Sequence, residues 1–274
     1  MTDPRQAIAG IFDRSAATYD QVGVEFFSVV GAQLVRDADV AAGEHILDVG
    51  CGRGAVALAA ATAVGPGGSV MAVDLAPTMV QLLTADAKDR GLSQVQTAVM
   101  DAQEPDLEPA RYDVVLSSLV LFFLPDPAAA LRAWRVATRA SGRLGITTFA
   151  GRDDERWTWL RDVFPSRDPK AGTPQATDRN AFDSTDGVHG LLESSGWTSP
   201  STVEREHVTR FADAEQWLDW SWSNGMRIFW ERTPEEEHPA VRARALAELT
   251  AMQERYGELS VRMRVRYTTA RASG

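Results

Sequence analysis

The chain has 274 residues, of which 44% are hydrophobic and 24% are charged, and its formal net charge is −10 at pH 7. This length fits one large domain or a domain with a cap, and the composition is that of an ordinary globular protein. The acidic balance argues against a nucleic-acid partner. We expect a cytoplasmic protein without membrane insertion, because the first residues lack an apolar signal core and no apolar run is long enough to span a bilayer.

The chain begins with a helical region and continues with alternating strands and helices. Residues 4–40 carry apolar side chains at helical spacing, among them Ile8, Ile11 and Phe12. From residue 45 onward, short apolar runs alternate with helix-like stretches, which predicts a mostly parallel sheet with helices on both faces. The predicted strands are 45–49, 69–73, 95–99, 113–117 and 143–149, and the predicted helices are 55–63, 77–90 and 127–140.

The remainder of the chain is less regular. Residues 151–182 are rich in Asp, Arg, Pro and Thr, which predicts an irregular excursion. A helix is predicted over 188–195 and a strand over 202–208, followed by an aromatic-rich helical insertion over 213–256. Residues 261–267 alternate apolar and basic side chains, as in a strand with one wet face.

The most informative part of the sequence lies between Ile46 and Gly54, which reads Ile-Leu-Asp-Val-Gly-Cys-Gly-Arg-Gly. An apolar strand here runs into a glycine-rich turn, and a helix follows. Glycine has no Cβ and tolerates positive φ, so a ligand can lie against the backbone of Gly50 and Gly52. Asp48 would repel a pyrophosphate and favours a cationic ligand instead.

Acidic residues also follow the next two strands. Asp74 ends the second strand, 22 residues after Gly52, where a carboxylate can accept hydrogen bonds from two ribose hydroxyls. Asp101 ends the third strand, where it can accept from an adenine amino group while Met100 covers the ring. Ser117 ends the fourth strand and is expected beside the rest of the ligand, because open α/β sheets bind ligands at the carboxyl ends of their strands.

This ordered set of motifs resembles the class I methyltransferases that use S-adenosylmethionine (SAM). The glycine turn, Asp74, the run Met100-Asp101-Ala102 and residues 12–20 are similar to the ubiquinone- and menaquinone-biosynthesis (UbiE-like) type and its small-molecule relatives in secondary metabolism. The resemblance implies SAM as the cofactor. It also implies an α/β, Rossmann-like, doubly wound seven-stranded sheet in the order 3-2-1-4-5-7-6, with the last strand antiparallel, and a helical cap.

The resemblance further implies a division of the chain and a set of cofactor contacts. One methyltransferase domain, 1–274, would contain an N-terminal helical cap (1–40), a SAM-binding core (41–150) and a substrate-side half (151–274), whose helical insertion over 213–256 completes the cap. In such proteins a tyrosine of the opening segment, here Tyr19, closes over the cofactor. The expected cofactor-binding residues are Tyr19, Asp48, Gly50, Gly52, Asp74, Leu75, Met79, Met100, Asp101, Ala102 and Ser117.

The chain departs from the family after the fourth strand, where many relatives have a pair of histidines and this chain has Leu-Phe-Phe-Leu over 121–124. The catalytic base is therefore unknown, with His189 and His238 as weak candidates. The aromatic insertion predicts an apolar or aromatic substrate pocket, although core packing competes with this interpretation for each tryptophan. The expected substrate-binding residues are Phe122, Trp217, Trp220 and Asn224.

We predict methyl transfer from SAM to O, N or C of an apolar or aromatic small molecule in natural-product biosynthesis, by a monomer or homodimer. No metal is predicted, because carboxylates and histidines do not cluster at ligand spacing. Two alternatives stay open. Gly50, Gly52 and Ala55 formally fit the fingerprint of an NAD-dependent dehydrogenase, although Asp48 and the lack of a Tyr-x-x-x-Lys argue against it. A SAM-binding protein without methyl transfer fits the missing histidine pair.

Overall fold

The computed structural model describes residues 3–150, 155–164 and 179–273. Much of the irregular excursion predicted over 151–182 lies outside these residues. Within the described ranges, seven strands form one sheet in the order β3-β2-β1-β4-β5-β7-β6, which confirms the expected order. The strands are β1 (His45–Val49), β2 (Ser69–Asp74), β3 (Val95–Val99), β4 (Tyr112–Ser118), β5 (Thr138–Phe149), β6 (Trp197–Phe211) and β7 (Leu259–Ala272).

The strands β1 to β5 are parallel, and β7 runs antiparallel between β5 and β6. In this register Tyr267 of β7 lies opposite Thr147 of β5 and Val203 of β6. The carboxyl ends of the five parallel strands therefore meet at one edge of the sheet, where α/β folds bind their ligands.

Helices cover both faces of the sheet, as expected for a doubly wound fold. Proline stands at the first position of α1, α4 and α5. A backbone N–H at this position has no intrahelical acceptor, so proline, which lacks it, costs the helix no hydrogen bond. The helices are α1 (Pro4–Ser15), α2 (Phe27–Asp37), α3 (Ala57–Val64), α4 (Pro77–Asp89), α5 (Pro127–Ala137), α6 (Leu160–Val163), α7 (Thr185–Ser194), α8 (Ala214–Trp222), α9 (Arg227–Arg232) and α10 (His238–Tyr256).

Two apolar layers separate these helices from the sheet. On one face, Leu34 of α2 and the inner sides of α3, α8 and α10 pack around Ile46 and Leu116. On the other face, Trp134 of α5 and Leu192 of α7 pack against the opposite side of the same strands. None of the helices in the described ranges is both long enough and apolar enough to cross a membrane.

Several predicted boundaries differ from those in the structure, and two of these differences replace predicted helix by another conformation. The N-terminal region is interrupted by non-helical residues 16–26, because Asp20 takes a left-handed backbone and its carboxylate accepts hydrogen bonds from Phe26 and Ser28 at the start of α2. The helix predicted over 127–140 ends at Ala137, because Thr138 is extended and pairs with Tyr112 as the first residue of β5.

Candidate active site

A cavity of about 390 Å³ lies at the carboxyl ends of the parallel strands and is bordered by α1, α8 and α9. Its volume is within the usual range for small-molecule sites. One group of lining residues, here named the glycine end, comprises Gly50, Gly52, Asp74, Leu75, Met79, Met100, Asp101 and Ala102. A second group, here named the aromatic end, comprises Phe26, Ser118, Phe122, Phe123, Phe149, Trp220, Asn224, Met226, Phe229 and Met263.

The turn after β1 brings bare backbone to the cavity wall. The backbone N–H groups of Gly50 and Cys51 both donate to the Val73 carbonyl, at 2.8 Å and 3.0 Å, so the turn is tied to β2. Gly50 has φ +70°, and a Cβ on it would lie 2.3 Å from Cγ2 of Val120. Glycine is therefore required at this position both by the backbone angle and by the close approach of Val120.

Asp74 is held by backbone amides in a position that leaves acceptor capacity free. Its Oδ2 accepts from the Gly52 N–H at 2.8 Å, and its Oδ1 accepts from the Ala76 N–H at 2.9 Å. Burial raises the pKa of Asp74, while the amides of Ala76 and Gly52 work in the opposite direction. Because each carboxylate oxygen can accept two hydrogen bonds, the half-buried side chain can also accept from ligand hydroxyls in the cavity.

Asp48 does not line the cavity, contrary to the expected direct contact. The side chain is fully buried behind the turn, and neither carboxylate oxygen makes a hydrogen bond of normal geometry with the described residues. Burial raises the pKa of Asp48 to about 8, the amide of Ala57 opposes this, and the charge of Asp74 adds to it. The carboxyl group is therefore mainly protonated at neutral pH in the ligand-free protein.

Asp101 lines the cavity, but it already holds a partner that the sequence analysis missed. Its Oδ2 accepts from Nη1 of Arg5 at 2.8 Å, and its Oδ1 accepts from the Gln103 N–H at 2.9 Å. Arg5 belongs to α1, so this ion pair joins the N-terminal helix to the end of β3. No spacing in the sequence indicates the contact, because the two residues are 96 positions apart.

Tyr19 lies where the non-helical stretch after α1 meets the cavity. Its ring stacks on Phe27 with 4.5 Å between centroids and meets the edge of Phe12. Burial, with a smaller effect from the charges of Asp20 and Asp74, raises the pKa of Tyr19 well above its ordinary value. Its phenol therefore stays protonated at neutral pH and cannot act as a base.

Ser117 points away from the cavity, and its neighbour Ser118 takes the expected place. The Ser117 hydroxyl is buried and donates to the Val49 carbonyl at 2.8 Å. Because successive side chains of a strand point to opposite faces, Ser118 projects to the other side, where it lines the cavity. The predicted strand ended at residue 117, so the sequence analysis selected the wrong one of the two serines.

Three of the four expected substrate residues, Phe122, Trp220 and Asn224, line the aromatic end. Trp217 does not line the cavity. Its ring packs against the two tryptophans that precede α6, with 5.5 Å between its centroid and that of Trp157 and 5.6 Å to that of Trp159. Trp217 and Trp220 of α8 therefore differ in their surroundings: Trp217 packs in the core, and Trp220 lines the cavity.

Comparison with known proteins agrees with this architecture. A family model described as "Methyltransferase domain" matches residues 46–142. The chain is 34% identical to nocamycin O-methyltransferase of Saccharothrix syringae over 273 residues, which cover 95% of this chain and 97% of that protein. The chain belongs to the SAM-dependent methyltransferases. It is also 38% identical to aklanonic acid methyltransferase DauC of a Streptomyces species over 144 residues, 53% of this chain and 66% of that protein.

Solved structures show that the methyltransferase shares its fold with distant relatives. The YcgJ protein of Bacillus subtilis aligns with a TM-score of 0.61 at 13% identity, covering 90% of this chain and 99% of that one. The [4+2]-cyclase SpnF aligns with a TM-score of 0.55 at 20% identity, covering 90% and 80%. Identities this low establish the fold and not the reaction.

The glycine end of the methyltransferase fits SAM. The turn at Gly50 has no room for a side chain, so this part of the cavity wall is backbone. The carboxylates of Asp74 and Asp101 each keep lone pairs that can accept hydrogen bonds from hydroxyl or amino groups such as those of SAM. Apolar side chains between these two carboxylates, Met79 and Met100 among them, offer surfaces for the flat adenine ring.

Neither candidate base of the methyltransferase reaches the cavity. On α7, His189 shares a hydrogen bond of 2.8 Å with Thr202 of β6, on the face opposite the aromatic end. Nε2 of His238 lies 2.9 Å from the carbonyl oxygen of Trp230, outside the cavity lining. Within the described residues there is also no group of three or more His, Cys, Asp or Glu that could hold a metal ion.

Proposed function

We propose that the protein transfers the methyl group of SAM to an oxygen atom of an apolar small molecule bound at the aromatic end. The observation that carries this proposal is that one cavity joins the glycine end to the aromatic end, so a cofactor and an acceptor can meet within it. The relatives named for O-methylation of nocamycin and for methylation of aklanonic acid support oxygen as the acceptor and natural products as the substrate class.

At the glycine end, each residue is assigned a role by its position. We assign the ribose hydroxyls to Asp74, and the adenine amino group to Asp101, which would share its carboxylate with Arg5. The backbone at Gly50 and Gly52 would lie against the ligand, and Leu75, Met79, Met100 and Ala102 would enclose the adenine ring. Tyr19 would cover the cofactor from the side of α1.

The aromatic end supplies alignment and exclusion of water. When bound, SAM supplies an electrophilic methyl group on a positively charged sulfur. The phenylalanines around Phe122, whose ring centroid is 4.6 Å from that of Phe123 and 5.5 Å from that of Phe149, form an apolar wall for a flat acceptor. Holding the two reacting atoms at about 3–3.5 Å without competing water is a large part of catalysis for a substitution of this kind.

No side chain that lines the aromatic end can act as a base within the described residues. The polar side chains there are Ser118 and Asn224, whereas the titratable ones that line the cavity, such as Asp74 and Asp101, belong to the glycine end. The histidines lie elsewhere: His207, for example, hydrogen-bonds to Tyr267 and does not line the cavity. The proposal therefore assigns alignment to the protein and no proton transfer to a side chain.

Family membership favours methyl transfer over the dehydrogenase alternative, and binding and product formation test it directly. Calorimetric titration with SAM, S-adenosylhomocysteine and NADH should show micromolar binding of the two sulfur ligands and none of NADH. Incubation with SAM and aklanonic acid, then with a panel of aromatic polyketide acids, phenols and amines, should give a product heavier by one methylene and an equal amount of S-adenosylhomocysteine.

Binding of SAM without a methylated product from any compound in the panel would contradict the proposal and favour a SAM-binding protein with another role. A reaction mixture without the protein is the control for product that arises without enzyme. A cytoplasmic location and a monomeric or homodimeric state stay predictions, and size-exclusion chromatography with light scattering tests the second.

A further inference from the structure

Asp48 is a buried acid without a partner, directly behind the glycine turn. It lies two residues before Gly50, which lines the cavity, and in the sheet it pairs with Ala72 of β2 and Leu116 of β4. Its side chain is fully buried, and neither carboxylate oxygen has a hydrogen-bond partner among the described residues. Because a buried acid in this state costs stability, its presence at the cofactor site requires an explanation.

The described groups that face Asp48 are negative or neutral. From β2 it faces Asp74, whose negative charge adds to the effect of burial, and the turn contributes Cys51, a thiol whose pKa is raised chiefly by burial. From β4 and α3 it meets Leu116 and the amide of Ala57, which are uncharged. Burial is the main cause that raises the pKa of Asp48 to about 8, so the acid keeps its proton in the ligand-free protein at neutral pH.

The basic residues nearest to Asp48 along the chain are directed elsewhere. Nε of Arg53 donates to Asp86 at 3.0 Å, and its Nη1 donates to the Ala17 carbonyl at 3.0 Å. His45 lies at the other end of β1, where Nδ1 is 2.7 Å from the hydroxyl oxygen of Ser69. Neither of them therefore balances a charge on Asp48.

The strand order places Asp48 between the two ends of the cavity. Along the sheet, β3 leads to Asp101, β2 ends at Asp74, β1 carries Asp48, and β4 and β5 end at Ser118 and Phe149. A ligand whose ribose lies at Asp74 and whose methyl group faces the aromatic end has its sulfur between these two parts, at the end of β1. Because neighbouring strands are only about 4.8 Å apart, a positive charge there lies close to Asp48.

We propose that Asp48 distinguishes SAM from S-adenosylhomocysteine through its charge: it is neutral in the ligand-free protein and gives its proton to solvent when the sulfonium binds. The proposal rests on the proposed function, to which it adds the group that recognises the charge of the cofactor. A nearby positive charge favours the ionised form of an acid, whereas the neutral thioether of S-adenosylhomocysteine leaves burial as the dominant effect. The protein therefore holds the methylated cofactor more tightly than the demethylated one.

The charge of Asp48 follows the methyl group through a reaction cycle. Asp48 is ionised while the sulfonium is present. At methyl transfer the electron pair of the broken carbon–sulfur bond stays on sulfur, so the positive charge beside Asp48 disappears. Asp48 is then again a buried acid without a nearby cation, and it takes back one proton from solvent. The proton released on binding is thus recovered, and the cofactor product loses the attraction that held SAM.

Counting protons during binding tests the proposal. Calorimetric titration at pH 7, repeated in buffers that differ in ionisation enthalpy, gives the number of protons released per ligand bound. We expect the wild-type protein to release about half a proton or more on binding SAM beyond what it releases on binding S-adenosylhomocysteine. From pH 6 to pH 8, its affinity for SAM should rise about fivefold or more relative to its affinity for S-adenosylhomocysteine, because ionising Asp48 becomes less costly.

Two carboxylate-to-amide variants separate this role from a structural one. Asp48→Asn keeps the size of the side chain and should abolish the difference in proton release between the two ligands. At pH 8 it should bind SAM about fivefold or more weakly than the wild type, and S-adenosylhomocysteine within about twofold. Asp101→Asn removes a carboxylate that lines the cavity and should change both affinities by similar factors, with the wild-type difference in proton release retained. Urea unfolding shows that each variant is folded.

Two results would overturn the proposal: equal proton release for both ligands in the wild type, or an Asp48→Asn variant that keeps the wild-type difference. Neither measurement needs an acceptor, so turnover distinguishes this failure from failure of the proposed function. Methylation of an acceptor without the difference in proton release would defeat the role of Asp48 and leave methyl transfer standing. A difference that depends on Asp48, without methylation of any acceptor, would defeat the proposed function and leave recognition of the sulfonium charge standing.

Discussion

At the glycine end, the lining residues follow one another along the chain from Gly50 to Ala102, whereas the aromatic end draws on residues as far apart as Phe26 and Met263. The first set comes from the ends of β1, β2 and β3 and from α4. The second set comes from the start of α2, from β4, β5 and β7, from the turn after β4, and from α8, α9 and the link between them. Cofactor recognition is thus local in the chain, and acceptor recognition depends on the assembly of distant segments.

The two ends also differ in their chemistry. Asp74 and Asp101 place carboxylate acceptors at the glycine end, in keeping with hydroxyl and amino groups on a ligand. The aromatic end offers apolar rings and the uncharged polar side chains of Ser118 and Asn224. Variants at each end should therefore affect one ligand and spare the other.

The largest effect is expected at the turn of the glycine end. Gly50→Ala places a Cβ 2.3 Å from Val120 at φ +70°, so it should lower the free energy of unfolding by about 2–4 kcal/mol and abolish measurable SAM binding. Gly43→Ala is the control, since φ there is +84° but no atom lies within 4 Å of the added Cβ. It should cost only the backbone strain of about 1–2 kcal/mol and leave SAM affinity intact. Similar losses of stability and of SAM affinity in both variants would contradict the requirement for glycine at position 50.

The next effect concerns the buried carboxyl group behind that turn. Because the folded protein holds the pKa of Asp48 at about 8, well above that of an unfolded chain, the unfolded state loses its proton first. Stability should therefore fall as pH rises from about 4 to about 8, and level off above that. Asp48→Asn removes this dependence and should stabilise the ligand-free protein by about 2–4 kcal/mol at pH 7, with little gain at pH 4.

Urea unfolding of both proteins across this pH range measures the effect. A difference in free energy of unfolding that stays constant with pH would show that Asp48 is ionised in the folded state. SAM affinity should change less in Asp48→Asn than in variants of Asp74, since Asp48 does not line the cavity.

A smaller effect, confined to the affinity for SAM, is expected from a substitution at the end of β2. Asp74→Ala removes the acceptor for the ribose hydroxyls and for the amides of Gly52 and Ala76, and should weaken SAM binding about 10- to 100-fold. Calorimetry measures this affinity, and unchanged SAM affinity in the folded variant would remove Asp74 from the site.

The smallest effect on ligand binding is expected at the aromatic end. Trp220→Phe alters the cavity wall and should raise the KM for the acceptor about threefold, whereas Trp217→Phe should leave that KM within about twofold. Trp217→Phe should instead lower the free energy of unfolding by about 2 kcal/mol, because its ring fills a space against Trp157 and Trp159. Steady-state kinetics measures the KM of each variant, and urea unfolding measures its stability. A higher KM in Trp217→Phe alone would reverse the assignment.

The sequence analysis succeeded where a residue type and its neighbours along the chain define the geometry. Gly50 and Asp74 were found because a glycine turn and an acid at a strand end are local patterns. It failed where direction depends on packing: Ser117 and Ser118 differ only in the face to which they point, and Trp217 and Trp220 differ only in what surrounds them. The partner of Asp101 was missed because Arg5 arrives from another part of the chain.

The amino-acid sequence by itself determined the order of strands and helices, the strand order of the sheet through family resemblance, and the turn that meets the cofactor. The order of the elements and the glycine turn follow from hydrophobic periodicity and from the conformational freedom of glycine, both of which act over short distances along the chain. The strand order of the sheet is implied by the family resemblance alone. Only the tertiary structure decided which carboxylates reach the cavity and which serine lines it. It also decided that Trp220 lines the cavity whereas Trp217 packs in the core, because burial depends on atoms brought together from distant positions.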